Sequence, residues 1–357
     1  MRAEPAHTAR RGLSASSAAQ RGLSLVELLI SIVISLLVGL AAAGSAMMFT
    51  ASQRQGVGAG GASINSITVM NGIKADASLV GLGFFDNSTV LCSTLNLSVG
   101  TTKVTDGTAF TPLQVASAGS SDQLDLVYAT QVEAGSAVLL DAASDGTTAD
   151  LRSLLPVSVG QAVLLSPEST GACTVRTVTA NTASTVTDPQ RLTFAAGGRH
   201  NDAAFTAPQT YPTRAKVSML GGVRWNRYRV DGSEQLVLDR PIDGGGSVVL
   251  LRNVVAFRVQ YGVAATATAT TLDSWVDASG TFASVTAANI DRIRALRIGV
   301  LVRSPQREKT ESDGVCRATT AAPALFGTVP SSFTGSDWQC YRYRTSTVVI
   351  PLRNYVI

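Results

Sequence analysis

Histidine is almost missing from this chain: 357 residues contain two, His7 and His200. There are four cysteines and no C-x-x-C pair, so a zinc site has no ligand set to draw on. His200 stands alone in a Gly-Gly-Arg-His-Asn-Asp stretch and reads as a solvated, exposed loop residue rather than a base. No G-x-S-x-G elbow is present. The glycine-rich stretches Gly56–Gly61 and Gly244–Gly246 are not followed by the Lys-Ser/Thr of a phosphate loop. The Asp-Gly pairs lack the acidic spacing of an EF-hand, which leaves room only for a looser calcium site. Charged residues make up 15% and aromatics 6%. No stripe of Lys and Arg interleaves with aromatics, so the net charge of +4 is no footprint of nucleic acid. The expectation is a chain that is not an enzyme and takes no cofactor.

What is abundant is Thr, Ser, Ala, Val and Gly, a mix that favours strands and turns over a helical bundle. The length allows a sizeable core, in one large domain or two small ones. The positive charge is concentrated: residues 1–22 hold Arg2, Arg10, Arg11 and Arg21 against Glu4, and the rest is close to neutral. Cys92, Cys173, Cys316 and Cys340 read as two disulfides if the chain is exported, and as four buried thiols if it is not. Cys316 and Cys340 bracket a loop-like stretch holding Pro323, Gly327, Pro330 and Gly335. Closing that loop contributes about 3 kcal/mol on the chain-entropy model. Cys92 and Cys173 are then the other pair.

Residues 28–49 contain neither charge nor proline. A helix over residues 23–49 is about 40 Å long, against a hydrocarbon core of about 30 Å. The arginines before it predict a cytoplasmic leader and an exported remainder. Glu27 does not fit a plain anchor, since a carboxylate in a bilayer costs roughly 2.5–3.5 kcal/mol. A cut between Gly22 and Leu23 would create an amine about one helical turn away. In a bundle of such helices, Glu27 of one subunit pairs with the Leu23 amine of its neighbour and sets the axial register.

Gly22 followed by Leu23-Ser24-Leu25-Val26-Glu27 resembles the prepilin motif: glycine before the scissile bond, an apolar first mature residue, glutamate at the fifth. Leu23 stands where phenylalanine or methionine is commoner, and Ser24 where threonine is. The resemblance implies cleavage after Gly22 by prepilin peptidase and N-methylation of Leu23. Other readings of this segment are a secretory signal with Ala41-Ala42-Ala43 as its cleavage site, a simple signal anchor, and a twin-arginine signal at Arg10-Arg11. The first two leave Glu27 unexplained. The third has a poor context in Gly-Leu-Ser.

Beyond the apolar run, Gly56, Gly58, Gly60 and Gly61 each cost about 1 kcal/mol of helix stability, and the helix is expected to thin or break there. Ile64, Ile67, Met70, Ile73, Ala77 and Val80 recur at helical spacing, a stripe packed on a β domain. Gly81-Leu82-Gly83 ends that helix. Strands are predicted over 124–129, 162–166, 173–179, 222–230, 235–238, 248–251, 254–262, 295–303 and 344–351. Turns are marked by Asp106-Gly107, Asp145-Gly146, Asp231-Gly232, Gly244–Gly246 and Ser279-Gly280, the clearest hairpin being at Asp231-Gly232. Ala264–Thr271 reads as a surface loop, and the Arg/Asp pattern of Asp291–Arg303 as an element edge with a solvated face. The fold class is α+β: a long N-terminal hydrophobic helix, then an antiparallel β-rich head. The divisions are a leader over 1–22, a filament-core helix over 23–49, an extension over 50–84 and a head over 85–357.

The stretches 73–84 (IKADASLVGLGF), 254–263 (VVAFRVQYGV), 290–304 (IDRIRALRIGVLVRS) and 347–354 (TVVIPLRN) resemble PilW-type minor pilins. The family implies a low-abundance subunit that primes assembly of a type IV pilus and sits near its tip. Its partners would be prepilin peptidase, other minor pilins, the major pilin and a tip adhesin. It would reside in the inner membrane before assembly and at the cell surface after it. Alternatives are a pseudopilin of a type II secretion system and an exported, membrane-anchored adhesin or hydrolase.

Overall fold

The computed structural model describes residues 24–86, 89–132 and 137–352. The chain divides into two units, Met1–Val57 and Gly58–Ile357. The division falls inside the glycine run. The backbone nevertheless stays helical through it: α1 spans Leu25–Leu79. This corrects the expected break. Glycine weakens a helix but has no steric bar to helical dihedrals, and the alternative here would expose more backbone.

In the first unit, Leu25–Met47 has a mean hydropathy of 2.6 and no part of it is buried within the chain. In the second unit, α1 lays Ser66, Met70, Ile73 and Ala77 against the β domain, a spacing of four, three and four. Ile64 and Ile67, expected on that stripe, are 67% and 53% exposed. Ser66 takes the inward position instead, its hydroxyl 2.8 Å from that of Ser346. The helix stops where Gly81 adopts a φ of 79° and donates its N–H to Val127 O at 2.9 Å. At Gly83 a Cβ would lie 2.6 Å from Leu220 Cδ2, so the chain passes closely under the sheet here.

Strands follow in chain order: β1 (Phe85–Asp86), β2 (Thr89–Val90), β3 (Cys92–Val99), β4 (Thr102–Ala109), β5 (Leu113–Ala118), β6 (Ser121–Ala129), β7 (Val138–Leu139), β8 (Thr148–Leu151), β9 (Ala162–Ser166) and β10 (Gly171–Thr177). The second half adds β11 (Ala180–Thr182), β12 (Gln190–Thr193), β13 (Lys216–Gly221), β14 (Val223–Val230), β15 (Gln235–Asp239), β16 (Val248–Arg252), β17 (Val254–Val263), β18 (Ser274–Asp277), β19 (Ile293–Arg303) and β20 (Tyr343–Pro351). The three large sheets run β4-β3-β10-β9-β13-β7, β16-β15-β14-β6-β5 and β18-β17-β19-β20. A small sheet, β11-β12-β8, and the β1-β2 ribbon complete them. Among the described residues, pairing is antiparallel except between β3 and β10.

The main core joins α1 (Met70, Ile73, Ala77) to β6 and β14–β15 and to β17 and β19. A second cluster lies under Phe84 and Phe110, around Cys92 and Cys173, and a third fills the space among β8, β9, β12 and β13. A fourth seats Leu325 and Phe326 over Val255, Ala256 and Leu301, so the loop between Cys316 and Cys340 caps part of β17 and β19. A Cβ on Gly299 would meet Leu325 and Phe326 at 2.8 Å, which is why that strand position is bare.

The nine strands read from the sequence all form, with ends shifted by at most three residues. The hairpin at Asp231 forms as well. The Asp231 carboxylate accepts the N–H groups of Ser233 and Gln235, each at 2.9 Å. The left-handed residue of the turn is Glu234, φ 55°, not Gly232. Asp106-Gly107 is not a turn but a bulge inside β4. Asn96 pairs with Asp106 and Leu95 with Thr108, leaving Gly107 at φ 64° as the extra residue. Asp291–Arg303 becomes a 3-10 turn and then β19, which is largely buried rather than solvated. Arg297 survives there because its guanidinium sits between the Trp275 and Phe326 rings, 4.9 and 4.5 Å from their centroids.

Candidate functional site

The N-terminal end of α1 is built by Ser24 and Glu27. Ser24 Oγ accepts the N–H of Val26 at 3.3 Å, and Glu27 Oε2 accepts the N–H of Ser24 at 3.2 Å. Two of the donors that a helix start leaves orphaned are thereby satisfied, in the manner of a capping box. The carboxylate also sits at the positive end of the helix dipole. Ser31 and Ser35 follow Glu27 at intervals of four and Gly39 continues the row, so all four lie along one face. Ser31 Oγ donates back to Glu27 O at 2.6 Å, and Ser35 Oγ to Ser31 O. Their hydroxyls are thus spent within the helix, and Glu27 is the charged group of this face. Leu25, Val26, Leu28, Leu29 and Ile30 around it are all more than half exposed. Gly22 and Leu23, the expected cleavage and methylation positions, lie outside the described residues.

In the β-rich unit, Cys92 is bonded to Cys173 and Cys316 to Cys340. The first bridge ties β3 to β10, which pair in parallel, and the second closes the loop over β17 and β19.

Sequence reading missed Asp76. It sits on α1 between Ile73 and Ala77, and its carboxylate accepts the Tyr128 hydroxyl at 2.8 Å, Asn226 Nδ2 at 2.6 Å and the Tyr228 hydroxyl. Burial, reinforced by the neighbouring carboxylate, pushes both phenols well above the ordinary tyrosine range. Both therefore stay protonated donors, and α1 is clamped to β6 and β14. A second polar seam joins β6 to β17. Asp122 accepts the Val259 N–H at 2.8 Å and lies 3.5 Å from Arg258 Nε. Burial raises the Asp122 carboxyl above its usual range.

His200 is not the exposed loop residue expected from its glycine-rich surroundings. It is 3% exposed, and Nδ1 lies 2.5 Å from the Ser98 carbonyl, which fixes that nitrogen as the donor. Burial lowers its pKa. Asn201 causes the reversal: its side chain bonds Thr177 N and O and Ala195 O, and so folds the loop onto the sheet. An open groove of about 570 Å³ runs past Asp141, Arg152, Thr185 and Asp188, with no histidine or cysteine in its wall.

Residues 17–43 match the prokaryotic N-terminal methylation motif, and residues 231–354 match the model for Type IV Pilus-assembly protein W. No curated protein matches the chain. Among solved structures, a type IV-like pilin from Thermus thermophilus aligns over 83% of this chain and 97% of its own length. The identity is 10% and the TM-score 0.32, a loose overlap. An apolar N-terminal helix carrying the methylation motif, followed by a β-rich domain, defines a type IV pilin-like protein. Over 231–354 the β-rich unit is similar to the PilW type of these pilus-related structural proteins.

Proposed function

We propose that this chain is a minor pilin that helps prime assembly of a type IV pilus and is incorporated near its tip. Prepilin peptidase cuts it after Gly22, and Leu23 is N-methylated. Before assembly it sits in the inner membrane as a single-pass protein, with the leader of 1–22 cytoplasmic and the head of 85–357 exported. Residues 23–49 enter the filament core and 50–84 link them to the head. Its partners are the peptidase, other minor pilins, the major pilin and a tip adhesin.

The observation that carries this reading is Glu27, a lone carboxylate at the start of a 23-residue apolar span. An anchor has no use for it, whereas a bundle of processed helices supplies each carboxylate with a neighbour's amine. The match to the PilW model supports a pilus over a secretion filament. Its position in the head, away from the anchor, makes it independent of the N-terminal motif.

Mass spectrometry of the membrane-extracted protein tests the processing step. The expected mature chain begins at methylated Leu23, and Gly22→Ala leaves the leader attached and keeps the protein out of sheared filaments. A wild-type chain beginning at Met1 or Gly44 rejects the filament reading.

A further inference from the structure

The sheet β18-β17-β19-β20 ends on β20. Its register with β19 runs unbroken from Arg303↔Tyr343 to Ala295↔Pro351. Just outside the strand ends, Ser304 N donates to Arg342 O at 2.7 Å and Leu352 N to Arg294 O at 2.9 Å. The even-numbered residues of β20 therefore exchange hydrogen bonds with β19, and the odd-numbered ones turn their backbone groups outward. Among the described residues, Thr345, Thr347 and Val349 have no partner on that open side. All three side chains are exposed, Val349 by 52%.

Other edges of the large sheets are blunted. Bulges interrupt β4 in two places and β16 in one. On β5 the Tyr261 hydroxyl takes the Val115 N–H at 2.7 Å. β18 has four residues and β7 two. β20 has nine, with no register shift, and its only proline is the terminal Pro351. A long, regular, bare edge is a template for another strand, and soluble proteins that leave one open usually have a use for it. The charge around it says which strand fits. Arg342 is paired with Glu308, but Arg344 is exposed on the edge strand itself and no acidic residue occurs after Asp337 to offset it. A second β20 would bring Arg344, not a carboxylate, to the same edge.

We propose that β20 is a docking edge that accepts one extended strand, with an acidic residue opposite Arg344, from the head of a different pilin subunit. This rests on the filament reading above. Backbone pairing supplies the ladder and Arg344 fixes the register.

The test uses the full-length chain in its own cell. A photo-crosslinking residue replaces Thr345, in the wild-type background and in Thr347→Pro. Proline at 347 removes only an outward N–H, a position where an edge strand tolerates it. The expected adduct maps to a strand in the head of another N-methylated subunit, and its yield falls about tenfold in Thr347→Pro, with processing and thermal unfolding unchanged. An adduct to a second copy, an adduct to lipid alone, no adduct, or equal yield in both backgrounds overturns the assignment. Should Thr347→Pro fail to fold, hydrogen exchange on the unaltered chain decides. The amides of Thr345, Thr347 and Val349 should exchange fast in detergent and slowly in filaments, and equal rates overturn the assignment. If the unaltered chain never enters filaments, the filament reading fails. If it enters them without these signatures, only the role of β20 fails.

Discussion

Asp76 gathers donors from residues 52, 150 and 152 positions away along the chain. No local pattern reports such a cluster, which is why the sequence showed only an aspartate on a helix. Its removal strands three donors in a part-buried seam. Asp76→Ala is expected to lower unfolding stability by about 3 kcal/mol, read from urea denaturation of the detergent-solubilised chain. Asp76→Asn keeps one acceptor and should cost less. A loss below about 0.5 kcal/mol for the alanine variant would show that apolar contacts alone seat this part of α1. His200 makes a second prediction. Burial depresses its pKa in the folded state, so its contribution is present above the unfolded value of about 6.5 and is lost as pH falls through the folded one. Arg199 beside it works in the same direction. His200→Asn places an amide donor toward Ser98 without a titratable ring. The acid-side fall in melting temperature should shrink in that variant, and an unchanged pH profile would assign the effect to other groups.

At the scale of elements, the legible strands were those whose residues alternate or are continuously apolar, such as β6, β17 and β19. β3 and β4 escaped because serine, threonine and asparagine carry much of their length, and β5 and β13 because each is only six residues long. The helix stripe was legible from Met70 onward, where apolar side chains face the sheets. It failed at Ile64 and Ile67, because the facing position on β20 is Ser346 and selects a serine instead. The N-terminal motif was the most legible part because the methylation motif and the helix cap are both local patterns. The two disulfides are also separable by element. Cys92–Cys173 closes 81 residues and Cys316–Cys340 closes 24. On the chain-entropy model the paired serine variants should cost about 4.5 and about 3 kcal/mol respectively. Equal costs, or the reverse order, would mean that native packing around each bridge, rather than loop closure in the unfolded chain, sets its worth.

For the molecule as a subunit, Glu27 has two uses with different chemical demands. In the single chain it closes the capping box by accepting the Ser24 N–H, and glutamine can do the same because it retains a carbonyl oxygen. In the proposed filament it neutralises a neighbour's Leu23 amine inside an apolar bundle, and glutamine cannot, because it carries no charge. Breaking a buried pair by removing one partner leaves the other charge stranded, a penalty of about 3–5 kcal/mol. Glu27→Gln should therefore insert, be cut after Gly22 and keep its helix start intact, as judged by mature mass and membrane fractionation. It should nevertheless fall at least about tenfold in sheared filaments, as far as Glu27→Ala falls. If Glu27→Gln enters filaments as well as the unaltered chain while Glu27→Ala does not, the carboxylate serves as a cap and its charge has no part in assembly. Register would then have to come from the packing of Ser31, Ser35 and Gly39 along the same face.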